Sequence, residues 1–202
     1  MSSYYTIKGA GASKYTEKMS RFLSFAIPVK TAEEAKALIK EYQNSYHDAR
    51  HVCWAYMIGS LRSEWQLNDN GEPSGTAGKP ILGQINSFGL TNVLIIVVRY
   101  FGGIKLGTPG LIAAYREAAR LALEEAGSRE VKNMLQLEIE FPYMVQDGVM
   151  KIAKSEGVTV KERSFDNVCR IIIEYPEEMS EIIRNRVSKV EGAMPGDEKK
   201  VE

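Results

Sequence analysis

A chain of 202 residues with 26 Lys/Arg balanced by 26 Asp/Glu is long for one small domain and comfortable for two, and it lacks the basic excess of proteins that coat nucleic acid. No run approaches the roughly 18–20 apolar residues of a membrane helix. The N-terminus MSSYYTIKGAGASKY lacks a basic stretch followed by an apolar one, so no secretory signal is read and a cytoplasmic location is expected.

Tyr4–Lys8 and Arg21–Val29, rich in aromatic and β-branched residues, predict short strands. A helix follows: Thr31 can cap it, Glu34 completes a capping box, and Ala35, Leu38, Ile39 and Tyr42 recur at helical spacing. His51–Gly59 predicts a strand with Arg62–Leu67 paired to it. A Gly-rich segment, NDNGEPSGTAGKP (68–80), then leads into a short helix with Pro80 near its first turn and Gly89 at its end. Asn92–Arg99 is nearly continuous β-branched apolar sequence, the pattern of a central strand covered on both faces. It feeds a second Gly-rich segment, RYFGGIKLGTPG (99–110). Thr108 as cap and Pro109 as first helical residue open a long Ala-rich helix ending at Gly127.

Around 128–132 the pattern restarts. Met134–Phe141 alternates as a strand, Pro142–Glu156 has helical spacing, Val158–Arg163 and Val168–Tyr175 are strand-like, and Pro176–Val190 is an amphipathic helix. The order βαββα is most of a ferredoxin-like domain, with Lys199–Glu202 as a last short strand in an otherwise polar tail. The expected domains are 1–128 and 132–202. Up to Ser128 the chain holds 14 Lys/Arg against 11 Asp/Glu, a net of +3, and the remainder holds 12 against 15, a net of −3. Any nucleic-acid contact must therefore come from a local patch. Cys53 and Cys169 lie in separate apolar runs and read as buried core thiols.

The two Gly-rich segments carry the candidate chemistry. A buried strand feeding a Gly-rich turn that opens a helix presents backbone N–H groups to an anion. Gly102, Gly103, Gly107 and Thr108 would line such a site, with Lys105 adding a point charge. Neither a phosphate-binding GxxxxGK[ST] loop nor a dinucleotide GxGxxG occurs there. The alternative is a tight connection that needs glycine for steric reasons alone. In the first segment Asp69, Glu72, Ser74 and Thr76 are candidate loop contacts. Asp69 suits an Asx turn, whereas Glu72, placed before proline, has no capping task and is a candidate acid/base. Arg50, Lys79 and Arg99 are further cations for an anion site. His51 is a weaker catalytic candidate. His47 and His51 are four apart, but a strand begins at His51, so they do not form a helical metal face. The sequence calls for no metal and no cofactor.

These stretches together resemble the IMPACT family, the YigZ-type family of bacteria. The matching residues are SRFLSFAIPV (20–29), TAEEA (31–35), DARHVCWAYMIG (48–59), GEPSGTAGKPIL (71–82) and VVRYFGGIKLGTPGLIAAY (97–115). The resemblance implies an α+β fold. It implies a first half of the left-handed βαβ type found in ribosomal proteins and in elongation-factor domain IV, drawn as a sheet with helices on one face. It implies a small ferredoxin-like second half. Eukaryotic relatives act in translational control by binding the activator of a kinase that senses amino-acid shortage; for bacterial members, RNA or ribosome binding is the usual proposal. The chain departs from the family pattern at Val52, at Asn68 and Asn70 around Asp69, at Pro109, and at Ala113, where an arginine is usual. The loss at Ala113 removes a phosphate contact. The expected function is a regulatory binding protein linked to translation, contacting RNA, the ribosome or a translation-control protein through the Gly-rich face. The alternatives are an enzyme acting on a phosphorylated small molecule or nucleotide, with Glu72 as acid/base, and a protein–protein adaptor whose Gly-rich face is structural.

Overall fold

The computed structural model describes residues 2–166 and 168–201. The chain divides into two compact units, one spanning Tyr4–Val131 and the other formed by the residues from Lys132 on together with those before Tyr4. As far as Lys132 the chain follows the order β1 (Ser3–Ile7), β2 (Gly11–Glu17), β3 (Ser20–Pro28), α1 (Ala32–Ser45), β4 (His51–Ile58), β5 (Glu64–Asn68), α2 (Gly78–Ser87), β6 (Val93–Tyr100), α3 (Gly107–Ala126) and β7 (Ser128–Lys132). A five-stranded antiparallel sheet runs β2-β3-β6-β4-β5, and β1 pairs with β7 apart from it. Both β3 and β4 are antiparallel to β6 between them, so they are parallel to each other and α1 is their crossover.

The fold is α+β, as expected, but the helices cover both faces of this sheet rather than one. Every residue of β6 from Val93 to Val98 is fully buried, which demands cover on each side. Val93, Ile95 and Val97 pack with Phe22, Cys53 and Ala55 against Ile81 and Ile85 of α2 and Tyr115, Ala118 and Ala122 of α3. Leu94, Ile96 and Val98 pack with Val52 and Tyr56 against Ala35 and Ile39 of α1. The short alanines let α3 approach the sheet closely. A Cβ on Gly11 would sit 2.5 Å from the Ala122 carbonyl oxygen.

Helix α1 starts at the predicted cap: the Thr31 hydroxyl accepts from the Glu34 N–H at 3.2 Å, while the Glu34 carboxylate reaches back one residue beyond the usual capping box and accepts from the Lys30 N–H at 2.7 Å. Strand β2 was not foreseen, because GASKYTE is an edge strand with a polar outer face and a weak apolar signal. Residues 128–132, read as a boundary, form the strand β7. Helix α3 begins one residue before Thr108, at Gly107, and has no side-chain cap.

The second unit is β8 (Met134–Phe141), α4 (Gln146–Ala153), β9 (Thr159–Phe165), β10 (Cys169–Pro176), α5 (Ser180–Ser188), β11 (Met194–Pro195) and β12 (Lys199–Val201). Its antiparallel sheet is ordered β11-β8-β10-β9, with β12 also on β8. Counting β12 as the last strand gives the βαββαβ arrangement of a ferredoxin-like domain. Leu137, Ile139, Ile171 and Ile173 face Val149 of α4 and Ile183 of α5, and Glu138, Glu140 and Arg170 hold the open face by ion pairs. The expected terminal strand is present over Lys199–Val201; Glu202 lies outside the described residues. The polar tail is tied down just before it, where the Glu198 carboxylate accepts from the Tyr175 hydroxyl at 2.6 Å and the Ser180 hydroxyl at 2.8 Å.

Candidate functional site

The first Gly-rich segment runs from the end of β5 into α2. Asn70 (φ 43°) and Gly71 (φ 83°) turn the chain back on itself through the left-handed region. The turn leaves Asp69 able to close the N-terminus of α2. Its Oδ1 accepts from the Ala77 and Gly78 N–H groups at 3.0 and 2.8 Å, and Oδ2 accepts from Gly75 at 2.8 Å. Asp69 is thus a helix cap reached from eight residues away, and the anion position it would have offered a ligand is filled by its own carboxylate. The Thr76 hydroxyl donates to the Pro73 carbonyl at 2.7 Å and is buried, whereas Ser74 is exposed. Asn70 also ties the turn to β4, because the Val52 N–H donates to Asn70 Oδ1 at 2.8 Å.

Glu72 turns inward. Its side chain is 3% exposed, and its Oε1 accepts from Arg99 Nη1 at 2.6 Å and from the Tyr115 hydroxyl at 2.8 Å. His51, in register with Arg99 across β4 and β6, brings Nε2 to 3.7 Å from Glu72 Oε2. The other ring nitrogen of His51, Nδ1, bonds the Asn70 carbonyl at 2.8 Å, and since a carbonyl only accepts, Nδ1 carries the proton. The Cys53 thiol donates to the Asp69 carbonyl at 3.0 Å and approaches the Tyr115 hydroxyl at 3.4 Å. Burial pushes the Cys53 thiol up to about 12, with the bond to Tyr115 pulling the other way. Burial, reinforced by the Glu72 carboxylate, also raises Tyr115, so it remains a phenol donor. Arg99 lies over the rings of Phe22 and Phe101 at 5.6 and 5.8 Å, and its buried Nε has no hydrogen-bond partner among the described residues.

This network joins both Gly-rich segments: Glu72 belongs to the first, Arg99 opens the second, and Tyr115 lies on the helix that the second begins. It also overturns two site expectations. Arg99, 6% exposed at its side chain, is the counter-charge of Glu72 rather than a surface cation. Glu72 is held by a guanidinium and a phenol and is shut off from solvent, so it is a pin between the segments and not a free acid/base. Tyr115 was missed because a lone tyrosine on the apolar face of an Ala-rich helix reads as core packing. Its hydroxyl decides its role.

The second Gly-rich segment offers less backbone than its glycines suggest. A Cβ on Gly102 would lie 2.1 Å from the Met19 carbonyl carbon, and its N–H donates to the Ser20 hydroxyl at 3.2 Å. Gly102 is therefore there for a close backbone approach, and its N–H is occupied. Gly103 (φ 87°) and Gly107 (φ 70°) are exposed. Lys105, Thr108, Arg50 and Lys79 are exposed cations and hydroxyl on this unit, outside the buried network. His47 bonds the Asn44 carbonyl beyond the end of α1 while His51 opens β4, so the two do not share a helix face.

Between α2 and α3 lies a cleft of about 380 Å³ lined by Gly75, Lys79, Gln84, Ile112 and Arg116 among others. Thr108, Ile112 and Arg116 recur every four residues, so the uncapped start of α3 and the cleft share one helical stripe. Arg116 was not singled out by the sequence reading, because an arginine on a long Ala-rich helix has no local signal that it faces a cleft.

The profile described as the Impact N-terminal domain matches residues 18–123, which contain every residue of the network and cleft. The chain is 41% identical over 132 residues to the IMPACT family member YvyE of Bacillus subtilis, covering 65% of this chain and 61% of that one. It is 29% identical over 193 residues to an IMPACT family member of Haemophilus influenzae, covering 94% and 93%. A solved structure described as an hypothetical protein superposes with a TM-score of 0.73 at 25% identity, covering 96% of this chain and 97% of that one. The match over more than half its length, on the residues that build the buried network, places this chain in the IMPACT family.

Proposed function

We propose that the protein is a translation-linked regulator that contacts RNA phosphates, on RNA itself or on the ribosome, through the α2–α3 side of its first unit. The family implies the link to translation, and the observation that carries the contact is the α2–α3 cleft. Lys79 and Arg116 face it with no carboxylate in its lining, and the stripe that lines it runs back to the open N–H groups of α3 at Gly107 and Thr108. Lys105 and Arg50 extend the positive charge of the unit. The enzyme reading loses its acid/base, because Glu72 is committed to Arg99 and Tyr115.

Filter binding of structured RNA across a salt series tests this. Binding is expected to weaken linearly in log–log form, and Lys79→Gln and Arg116→Gln are each expected to lower the slope by about one. Absence of binding at low salt, or a slope unchanged in both variants, would refute it. A protein partner is the second reading, favoured by Phe101 and Ile104, which are 51% and 49% exposed in the second Gly-rich segment. Under that reading Phe101→Ser abolishes capture of a translation factor while Lys79→Gln leaves it intact.

A further inference from the structure

Helices α4 and α5 of the second unit enclose a cleft of about 290 Å³. Its floor is Gly148, Ile152 and Val190, and its rim is Lys151, Arg186 and Lys189 beside the Ser155 hydroxyl. The two helices run antiparallel there, since a Cβ on Gly148 would touch Val190 at 3.3 Å at one end and Arg186 Nη1 donates to Ser155 Oγ at 2.7 Å at the other. Lys151 lies one turn from both Gly148 and Ser155, and Arg186 in the last turn of α5 is three residues before Lys189, which ends that helix. These spacings aim all three cations at one groove.

Convergence on one cleft sets these three cations apart within their unit, where Lys154, Arg163 and Lys199 also lack an ion pair among the described residues but do not line it. Residues 129–202 are net negative, with 12 Lys/Arg against 15 Asp/Glu. Lys161, Arg170, Arg184 and Lys200 are each ion-paired with glutamate. Among the described residues, Lys151, Arg186 and Lys189 have no carboxylate within ion-pair distance, and the cleft has no acidic lining. Cations in the last turn of a helix offset its dipole, but that effect acts on each helix separately and gives no reason for three of them to converge on a shared groove. Convergent like charges repel, and an anion between them removes the repulsion.

We propose that the α4–α5 cleft binds a phosphate group, carried either by a small molecule or by a phosphodiester. Arg186, oriented by Ser155, presents the planar fork that matches phosphate oxygens, and the two lysines supply point charges. The cleft exceeds the volume of one phosphate, so the group bearing it rests on Ile152 and Val190. This inference concerns the second unit and does not depend on the reading of the first.

Amide-resolved NMR of the full chain, titrated at constant ionic strength, tests it with two probes: inorganic phosphate and a short single-stranded RNA. Saturable shifts confined to α4 and α5 are expected. A variant carrying Lys151→Gln, Arg186→Gln and Lys189→Gln is expected to bind roughly tenfold or more weakly, while Lys151→Arg with Lys189→Arg retains binding. All three side chains are exposed, so the amide spectrum of the glutamine variant should stay native. Saturation by phosphate alone identifies a small-molecule phosphate; RNA that saturates at lower concentration and displaces phosphate identifies a phosphodiester. Non-saturating shifts spread over the surface, or equal affinity in the glutamine variant, would overturn the proposal.

Discussion

Glu72→Gln is the sharpest test of the buried network. Glutamine keeps the shape of the side chain and can keep the bond from Tyr115, but it leaves the Arg99 guanidinium, 6% exposed, with no formal counter-charge. Breaking one side of a buried ion pair costs about 3–5 kcal/mol, because the remaining charge stays desolvated. Replacing both partners by neutral groups removes that penalty, so Glu72→Gln with Arg99→Met is expected to lie within about 2 kcal/mol of the parent. Urea denaturation followed by tryptophan fluorescence reads the right unit, since Trp54 and Trp65, the two tryptophans of the chain, both lie in Tyr4–Val131. A loss below about 1 kcal/mol for Glu72→Gln, or additive losses in the double variant, would refute the assignment of Glu72 as a pin.

Two further outcomes follow from the same region. Gly102→Ala drives a Cβ into the Met19–Ser20 backbone and should cost about 3 kcal/mol, whereas Gly103→Ala meets open space and should cost about 1 kcal/mol for its positive φ alone; the reverse order in urea denaturation would count against this packing. Because burial pushes the Cys53 thiol up to about 12 from an ordinary 9.0, its folded form favours the proton. The stability it contributes is complete below pH 9 and is lost as pH rises toward 12. In a Cys169→Ala background, Cys53 should resist iodoacetamide at pH 8 until the unit opens, and labelling as fast as that of a free peptide thiol would exclude the burial described.

Much of the candidate site was legible because its local chemistry is particular. Asp69, followed by Asn70 and Gly71, read as a turn residue, and it is one, although its reach to Ala77 and Gly78 across the loop depends on the folded turn. Glu72 stood out because a carboxylate before proline has no capping task, but its partners could not be read: Arg99 is 27 residues away and Tyr115 is 43. Arg99 looked like a surface cation because arginine at the end of a strand before glycines usually is one. Gly102 looked like an anion contact because a glycine needed for close backbone approach and one needed for ligand approach have the same sequence signature.

The sequence by itself determined the α+β class, the central placement of β6, the capping box of α1, the βαββα order of the second half and the family, since each rests on periodicity or on short-range residue chemistry. Tertiary structure alone decided that helices cover both faces of the first sheet, that Glu72 is spent on Arg99 and Tyr115, and that three cations line one cleft between α4 and α5. Those outcomes depend on which side chains the sheet and helices bring within a few ångströms from distant positions, and local pattern carries no record of such pairings.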